Sequence, residues 1–212
     1  ALALPDTVDV LLERFLVGRF LEGYVANRNG GRRRRSNDSS QRRLAQGPPT
    51  RDLVAVYCAD VGSVATGRFG WASGGSVGAN GSDDMKQLAA AVSNDLRSGR
   101  PVALGFECPL FVPLAVEPGA LTSARTGEGN RPWCAGAGAG ALATGLVQVA
   151  WILREIRRLA PDGCDSTLDW LEFSEGRASL FLWEAFVSGT SKRDGHVADA
   201  QAAVKAFLAA VT

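Results

Sequence analysis

Two uninterrupted apolar runs, each followed by an acidic residue, constrain the fold of this chain most strongly. Residues 53–59 are apolar and lead into Asp60, and residues 102–106, apolar apart from one glycine, lead into Glu107. Runs of this length without polar alternation are typical of strands that are buried on both faces, as in a parallel sheet. The sequence therefore predicts a sheet that is flanked by helices.

Helices are predicted between and after these strands. The patterns indicate a helix over 82–96, capped by Ser82, a long helix over 138–160, and a final helix that Gly195 opens and that ends near residue 210. Strands are expected at 53–60, 68–73, 102–107 and 178–187, with a short one near 75–79. The order is ββ(β)αβαβα, which predicts an α/β fold.

Composition divides the chain into three segments. Residues 1–26 form a predicted N-terminal helix, and residues 27–51 form an arginine-rich linker or loop that has too few apolar residues to offset the entropy of ordering. Eight arginines and one aspartate lie between residues 28 and 51, a local charge of +7. That leaves 15 of the 23 basic and 21 of the 22 acidic residues, a charge of −6, elsewhere. The compact domain is expected over 52–212.

Cysteine and hydropathy patterns narrow the cellular setting. The four cysteines form no C-x-x-C pair, and with a single histidine they cannot build the usual structural zinc site. A reduced, cytoplasmic localisation is therefore expected. No apolar stretch is expected to reach membrane-spanning length, and the N-terminus has no charged-then-apolar secretion signal, so no membrane partner is predicted.

Acidic residues at strand ends predict a shared, negatively charged site. Two parallel strands joined by a helix end at the same sheet edge, so Asp60 and Glu107 are expected to approach each other. His196 and Asp199 lie three residues apart on one face of the last helix, which brings both towards these acids. Glu184 also interrupts an apolar strand and suggests further charge at the same place. Buried carboxylates are normally paired, protonated or bound to metal, and divalent cations are the expected ligands here.

Three motifs carry a resemblance to a known superfamily. Asp60-Val-Gly-Ser63, with Gly70-Trp-Ala72 in the second strand, resembles the opening hairpin of the ribonuclease H-like superfamily, especially its Holliday-junction resolvase branch. Gly105-Phe-Glu-Cys-Pro109 is similar to the second acidic motif of that superfamily, at the end of its fourth strand. His196-Val-Ala-Asp-Ala-Gln-Ala202 resembles the terminal motif, at the start of the last helix. The similarity covers most of residues 52–211.

This resemblance implies a fold, an activity and a metal. The fold would be a three-layer α/β arrangement with a central mixed five-stranded sheet flanked by helices. The activity would be the hydrolysis of phosphodiester bonds in DNA or RNA by a nuclease that requires Mg²⁺ or Mn²⁺. Asp60 would bridge two ions roughly 4 Å apart, with Glu107 and Asp199 as further ligands. His196 would position water, ligate metal or contact the scissile phosphate.

Candidate substrate-binding residues lie in the opening turn and in a long loop over 108–135. Ser63 belongs to the opening motif. Arg125 and Arg131 are placed to meet a phosphate of the nucleic acid, and Trp133 is available to stack on a base.

Each candidate residue also has an ordinary structural interpretation. Asp60 could cap the following turn, and Glu107 could pair with a buried arginine. Asp199 could be a helix first-turn acid, and His196 could be a surface residue. For Glu184 the structural interpretation is preferred, as an ion pair with Arg177 or Arg154.

Two further classes of function stay open. Actin-like ATPases and sugar kinases open with the same Asp-x-Gly-Ser/Thr-x-x-Thr hairpin, which here covers residues 60–66, but they need two such domains and the chain has one such hairpin. A catalytically silent binding module would keep the fold with acids too far apart to share a metal. An apolar stripe over 8–20 could also serve a homodimer.

Overall fold

The computed structural model describes residues 53–113, 115–125, 128, 132–186 and 194–211. The predicted N-terminal helix over 1–26 and the arginine-rich segment over 27–51 lie outside the described residues. The fold given below is therefore that of the predicted compact domain.

A mixed six-stranded sheet forms the centre of this domain. Its strands are β1 Ala55–Asp60, β2 Gly70–Gly75, β3 Asn80–Ser82, β4 Val102–Phe106, β5 Ser166–Thr167 and β6 Leu180–Glu184. They lie side by side in the order β3-β2-β1-β4-β6-β5. β2 is antiparallel to both β1 and β3, whereas β4 is parallel to β1 and β6, and β5 is parallel to β6.

The α/β class and the mixed sheet are confirmed, but the expected number of five strands is wrong. The sixth strand, β5, has two residues and pairs with the start of β6. A strand this short has no period-two pattern that a sequence could show. The third strand also lies at Asn80–Ser82 instead of near 75–79, because Gly75 and Gly78 take positive φ values there and form a turn.

The described residues form four α-helices. They are α1 Met85–Arg97, α2 Gly136–Leu159, α3 Trp170–Ser174 and α4 His196–Ala210. The N-cap of α1 is Asp84, whose carboxylate accepts hydrogen bonds from the backbone N–H groups of Lys86 and Gln87. The predicted cap, Ser82, instead accepts a hydrogen bond from the N–H of Asp84. α4 begins after Gly195, as predicted.

Two apolar clusters place the helices on opposite faces of the sheet. On one face, here called the α2 face, α1 and α2 pack through Leu88 and Ile152 around Leu104 of β4. On the other, the α4 face, α3 and α4 pack through Phe173 and Phe207 around Phe181 of β6. The domain therefore has three layers, with the sheet in the middle.

Helix α2 is unusually apolar for its exposure. Among the described residues it is the one helix that is long and apolar enough to cross a membrane by length and composition, with a mean hydropathy of 1.5 over 18 residues, of which 17% are buried. The expectation that no apolar stretch reaches that length is therefore wrong for this segment. Its Ile152 and Ile156 nevertheless belong to the core on the α2 face.

Candidate metal centre

Three carboxylates meet at the carboxyl-terminal edge of the sheet. Asp60 ends β1, Glu107 directly follows β4, and Asp199 lies in the first turn of α4. One oxygen from each lies within 4.8 Å of the others. Asp60 and Asp199 are buried and Glu107 is half-buried. The predicted convergence of these acids is confirmed, and three oxygen donors at this spacing could hold a divalent cation.

Strand alternation directs the first two carboxylates to the same face. Cys58 packs on the α4 face, so Asp60, two residues later in β1, points the same way. Ala103 of β4 also packs on the α4 face, which puts Glu107, four residues later, in phase with it. The N–H of Glu107 donates to the carbonyl of Ala59 at 2.8 Å and extends the parallel ladder to the site.

Glycines in β2 let α4 bring the third carboxylate to the sheet. Gly70 lies opposite Asp60 in the β1–β2 pair. A Cβ atom at Gly70 would lie 2.5 Å from the carbonyl carbon of His196, and one at Gly74 would lie 2.6 Å from Cγ1 of Val204. At Gly70 a larger residue would overlap the backbone of α4, so the helix would have to move, and at Gly74 it would displace the side chain of Val204. The spacing of these two glycines along one strand face is visible in the sequence, but their packing role was not predicted.

His196 contacts the cluster through Asp60. Its Nδ1 lies 2.5 Å from Oδ2 of Asp60, and the tautomer with a proton on Nδ1 donates this hydrogen bond. The side chain of His196 is 35% exposed, whereas that of Asp60 is 7% exposed. The imidazole therefore lies between the buried carboxylates and the solvent. A shallow open groove next to it is lined by Gly67, Phe69, Asp83, Asp194 and Gln201.

Two buried thiols near the site, those of Cys58 and Cys108, have raised pKa values. Burial raises the pKa of Cys58 well above its ordinary value, and the charges of Glu107 and Asp60 raise it further. Burial, followed by the charges of Glu184 and Glu107, raises the pKa of Cys108 to about 12. Both cysteines are therefore protonated at neutral pH and add no charge to the site.

Glu184 does not join the cluster, so the suggestion of further charge at that place is wrong, whereas its interpretation as a structural ion pair is confirmed. It lies opposite Phe106 in the β4–β6 pair, and Leu180 in the same strand phase packs on the α2 face, so the carboxylate of Glu184 points to that face. There its Oε1 accepts from the N–H of Leu110 at 2.7 Å and from Nη1 of Arg125 at 2.8 Å. The sequence placed the acid at the correct strand end but could not show which face it would take.

The expected ion-pair partners of Glu184 are also wrong. Arg154 pairs with Glu155 at 3.1 Å, and Arg177 pairs with Glu175 at 2.6 Å. Both arginines are more than half exposed, whereas Glu184 is buried. A buried carboxylate requires a partner that reaches the interior, and the loop over 108–135 supplies Arg125.

Arg125 is held by protein carboxylates in the described structure. Besides its contact with Glu184, its Nε donates to Oε1 of Glu128 at 2.6 Å, and its side chain is 7% exposed. Among the described residues, its Nη2 has no hydrogen-bond acceptor. Burial lowers the pKa of Arg125, but the hydrogen bonds that it donates to Glu184 and Glu128, together with their charges, outweigh burial and hold the pKa above the ordinary value. Its contact with a substrate phosphate stays a prediction.

The other candidate substrate residues are placed as follows. Ser63 is exposed and precedes a short 3₁₀ turn, Val64–Thr66. Trp133 is half-buried, and its indole N–H donates to the carbonyl of Ser123 at 3.1 Å. Arg131 lies outside the described residues. Roles for these residues in substrate binding stay predictions.

One polar residue next to the site has no role in the sequence analysis. Gln148 of α2 is buried, and its carboxamide N–H donates to the carbonyl of Gly62, in the turn directly after Asp60. α2 thereby holds the backbone of this turn from the α2 face. The only signal in the sequence is an isolated amide in an otherwise apolar stretch of helix.

The chain matches no protein-family model, no curated protein and no solved structure. Its function is therefore inferred from the geometry of its own residues.

Proposed function

We propose that this chain is a metal-dependent nuclease with a ribonuclease H-like fold, which hydrolyses phosphodiester bonds of DNA or RNA. The observation that carries the proposal is the meeting of Asp60, Glu107 and Asp199 within 4.8 Å. Carboxylates that are gathered so closely repel one another and lose hydration, so a bound cation would stabilise the arrangement.

The positions of the three acids support the fold assignment within the proposal. Asp60 ends the first strand of an antiparallel hairpin, Glu107 follows the fourth strand, and Asp199 begins the last helix. These are the three places at which the resemblance to the ribonuclease H-like superfamily puts its acidic motifs. The two-residue β5 at the sheet edge is an addition to the five strands that the resemblance implies.

The donor set supports Mg²⁺ or Mn²⁺ as the cofactor. Asp60, Glu107 and Asp199 offer only carboxylate oxygens, which are the ligands that hard divalent cations prefer. When bound, such ions lower the pKa of a coordinated water and neutralise charge on the phosphate and the leaving oxygen. Without a cation the three carboxylates would repel a phosphodiester, so nucleic acid is expected to bind productively only when metal is present.

His196 supports the site from its solvent side. Its hydrogen bond holds one oxygen of Asp60, which restricts the rotation of that carboxylate. Its partial exposure places it where a substrate must approach. We assign it the orientation of Asp60 and contact with the scissile phosphate.

Replacement of Asp60 tests the proposal. Purified protein is expected to cleave at least one member of a panel of single-stranded, duplex, hybrid and branched nucleic acids in the presence of Mn²⁺ or Mg²⁺. Asp60→Asn should lower the rate at least about 100-fold, which corresponds to about 2.7 kcal/mol of lost transition-state stabilisation. The circular dichroism spectrum should not change.

Asp162→Asn is the matched control, because Asp162 is exposed in the turn after α2 and makes the same change in charge away from the site. Unchanged cleavage by Asp60→Asn would contradict the assignment of this residue. Hydrolysis of ATP without cleavage of any nucleic acid would favour the ATPase class instead.

A further inference from the structure

The end of β4 is held on both sides by backbone hydrogen bonds. The N–H of Glu107 donates to Ala59 of β1, and the N–H of Ala185 donates to the carbonyl of Phe106, both at 2.8 Å. Beyond this point the chain leaves the sheet and enters the loop over 108–135, where Cys108 is buried in the core on the α2 face. The N–H of Leu110 then donates a hydrogen bond to Glu184.

Arg125 returns from the far part of the loop to the same carboxylate. Its Nη1 donates to Oε1 of Glu184, the atom that also accepts from Leu110. Its guanidinium lies 4.6 Å from the ring centroid of Phe111, and its Nη1 reaches the carbonyl of Phe111 at 3.5 Å. Glu184 therefore holds the backbone of Leu110, and Arg125 contacts the ring and the carbonyl of Phe111.

The pair of Glu184 and Arg125 gains little stability from its burial. Their side chains are 1% and 7% exposed, so both charges lose most of their hydration. Burial raises the pKa of Glu184, and the hydrogen bond and charge of Arg125 only partly oppose this. Since apolar residues can often replace a buried ion pair with no loss of stability, we look for its role in the geometry that it imposes.

We propose that Glu184 and Arg125 are positioning residues of the metal centre, which act on Glu107 from the opposite face of the sheet. They hold the backbone at Leu110 and Phe111, and this anchored segment in turn keeps the carboxylate of Glu107 in the direction that strand alternation gives it. The inference rests on the proposed function, since it takes Glu107 to be a metal ligand. It also explains why acidic residues stand at the ends of β1, β4 and β6 although Glu184, at the end of β6, does not join the cluster.

Glu184→Leu tests this inference through the affinity for Mn²⁺, measured by isothermal titration calorimetry and by the loss of the free-ion signal in electron paramagnetic resonance. The variant is expected to bind Mn²⁺ about 10- to 100-fold more weakly than the wild type, the range found when residues behind metal ligands are removed. Glu184→Gln keeps an oxygen that can accept from Leu110, so it should retain more of the affinity than the leucine variant does.

Asp95→Asn is the matched control. Asp95 is also a buried carboxylate, which accepts from the hydroxyl of Tyr57 at 2.6 Å and pairs with Arg100, but it lies at the end of α1 away from the cluster. This variant is expected to be less stable and to bind Mn²⁺ as the wild type does. Arg125→Met is the second test if Glu184→Leu does not fold, and it should also weaken Mn²⁺ binding.

Three outcomes separate the two proposals. Weaker Mn²⁺ binding by Glu184→Leu or Arg125→Met, with unchanged binding by Asp95→Asn, supports the positioning role. Equal Mn²⁺ affinity in the Glu184 and Arg125 variants and the wild type overturns the positioning role and leaves the metal centre in place. Absence of Mn²⁺ binding by the wild type overturns both.

Discussion

At the level of single residues, the contact between His196 and Asp60 contributes both to the stability of the fold and to the proposed metal site. Asp60 is almost fully buried, and a buried carboxylate needs hydrogen-bond donors. His196 supplies one at 2.5 Å and remains partly exposed itself. The same contact that stabilises the folded chain therefore also orients a proposed metal ligand.

His196→Ala should separate these two effects. Loss of the donor is expected to lower the free energy of unfolding by about 1–3 kcal/mol, because the buried carboxylate of Asp60 loses a hydrogen bond. Cleavage at saturating Mn²⁺ should fall by about 10- to 100-fold. Urea denaturation and initial rates measure the two quantities.

His196→Asn is the control for that change, since its amide can place a donor near the position of Nδ1. It should restore most of the stability. An alanine variant that is as stable as the wild type would show that the histidine contact adds nothing to the fold.

At the scale of elements, the site depends on how closely α4 approaches β2. Gly70 and Gly74 leave room for the backbone at His196 and for the side chain of Val204. Ala200 and Ala203 are buried on the face of α4 that packs on the sheet, and their small side chains let the helix lie close to it. The short distance between helix and sheet brings Asp199 to the strand ends, so small residues far from the chemistry decide whether the three carboxylates meet.

Gly70→Ala tests this dependence. The added methyl group would overlap the start of α4, so the helix must shift, at a cost in unfolding free energy of about 1–3 kcal/mol. Affinity for Mn²⁺ should fall with it because Asp199 moves with the helix. Thermal unfolding and calorimetric titration measure the two changes.

Gly140→Ala, on α2, is the matched glycine control, because a Cβ there meets no atom within 4 Å. It should leave Mn²⁺ binding unchanged and raise stability by about 0.5–1 kcal/mol. A Gly70 variant with wild-type affinity for the ion would show that the close approach of α4 does not control the site.

At the level of the whole molecule, two sets of charged side chains lie on opposite faces of the sheet. The α4 face carries Asp60, Glu107 and Asp199, whereas the α2 face carries Glu184 with Arg125. On the α2 face, Arg125 is shared by Glu184 and Glu128. On the α4 face, the proposed cation would link strands β1 and β4 to α4 and stabilise the fold as a unit.

Mn²⁺ is therefore expected to raise the melting temperature of the wild type. A free ion concentration 100 times the dissociation constant adds about 2.7 kcal/mol to the free energy of unfolding. For a domain of this size the corresponding shift is about 5–10 °C. Differential scanning calorimetry with and without the ion measures it.

Asp199→Asn should lose most of this shift, while Asp162→Asn should retain it. Equal shifts in both variants would place ion binding at a different location from the carboxylate cluster.

Local sequence patterns were enough to predict the α/β class, the ends of β1 and β4 next to Asp60 and Glu107, and the start of the last helix after Gly195. These features depend on local apolar patterns and on residues with strong conformational preferences, which act over a few positions. The parallel topology that brings the two strand ends to one edge follows from the helix between them. For that reason the convergence of Asp60, Glu107 and Asp199 could be predicted.

Long-range packing determines which face of the sheet Glu184 points to, which arginine it pairs with, and that a two-residue strand, β5, lies at the edge of the sheet. Glu184 and Arg125 are separated by 59 residues, and Gln148 and Gly62 by 86 residues. Such contacts depend on register and on the path of a long loop, and a shift of one residue in register would turn Glu184 towards the cluster. No local pattern carries that information, because side-chain direction across a sheet is set by the pairing of strands that are distant in the chain.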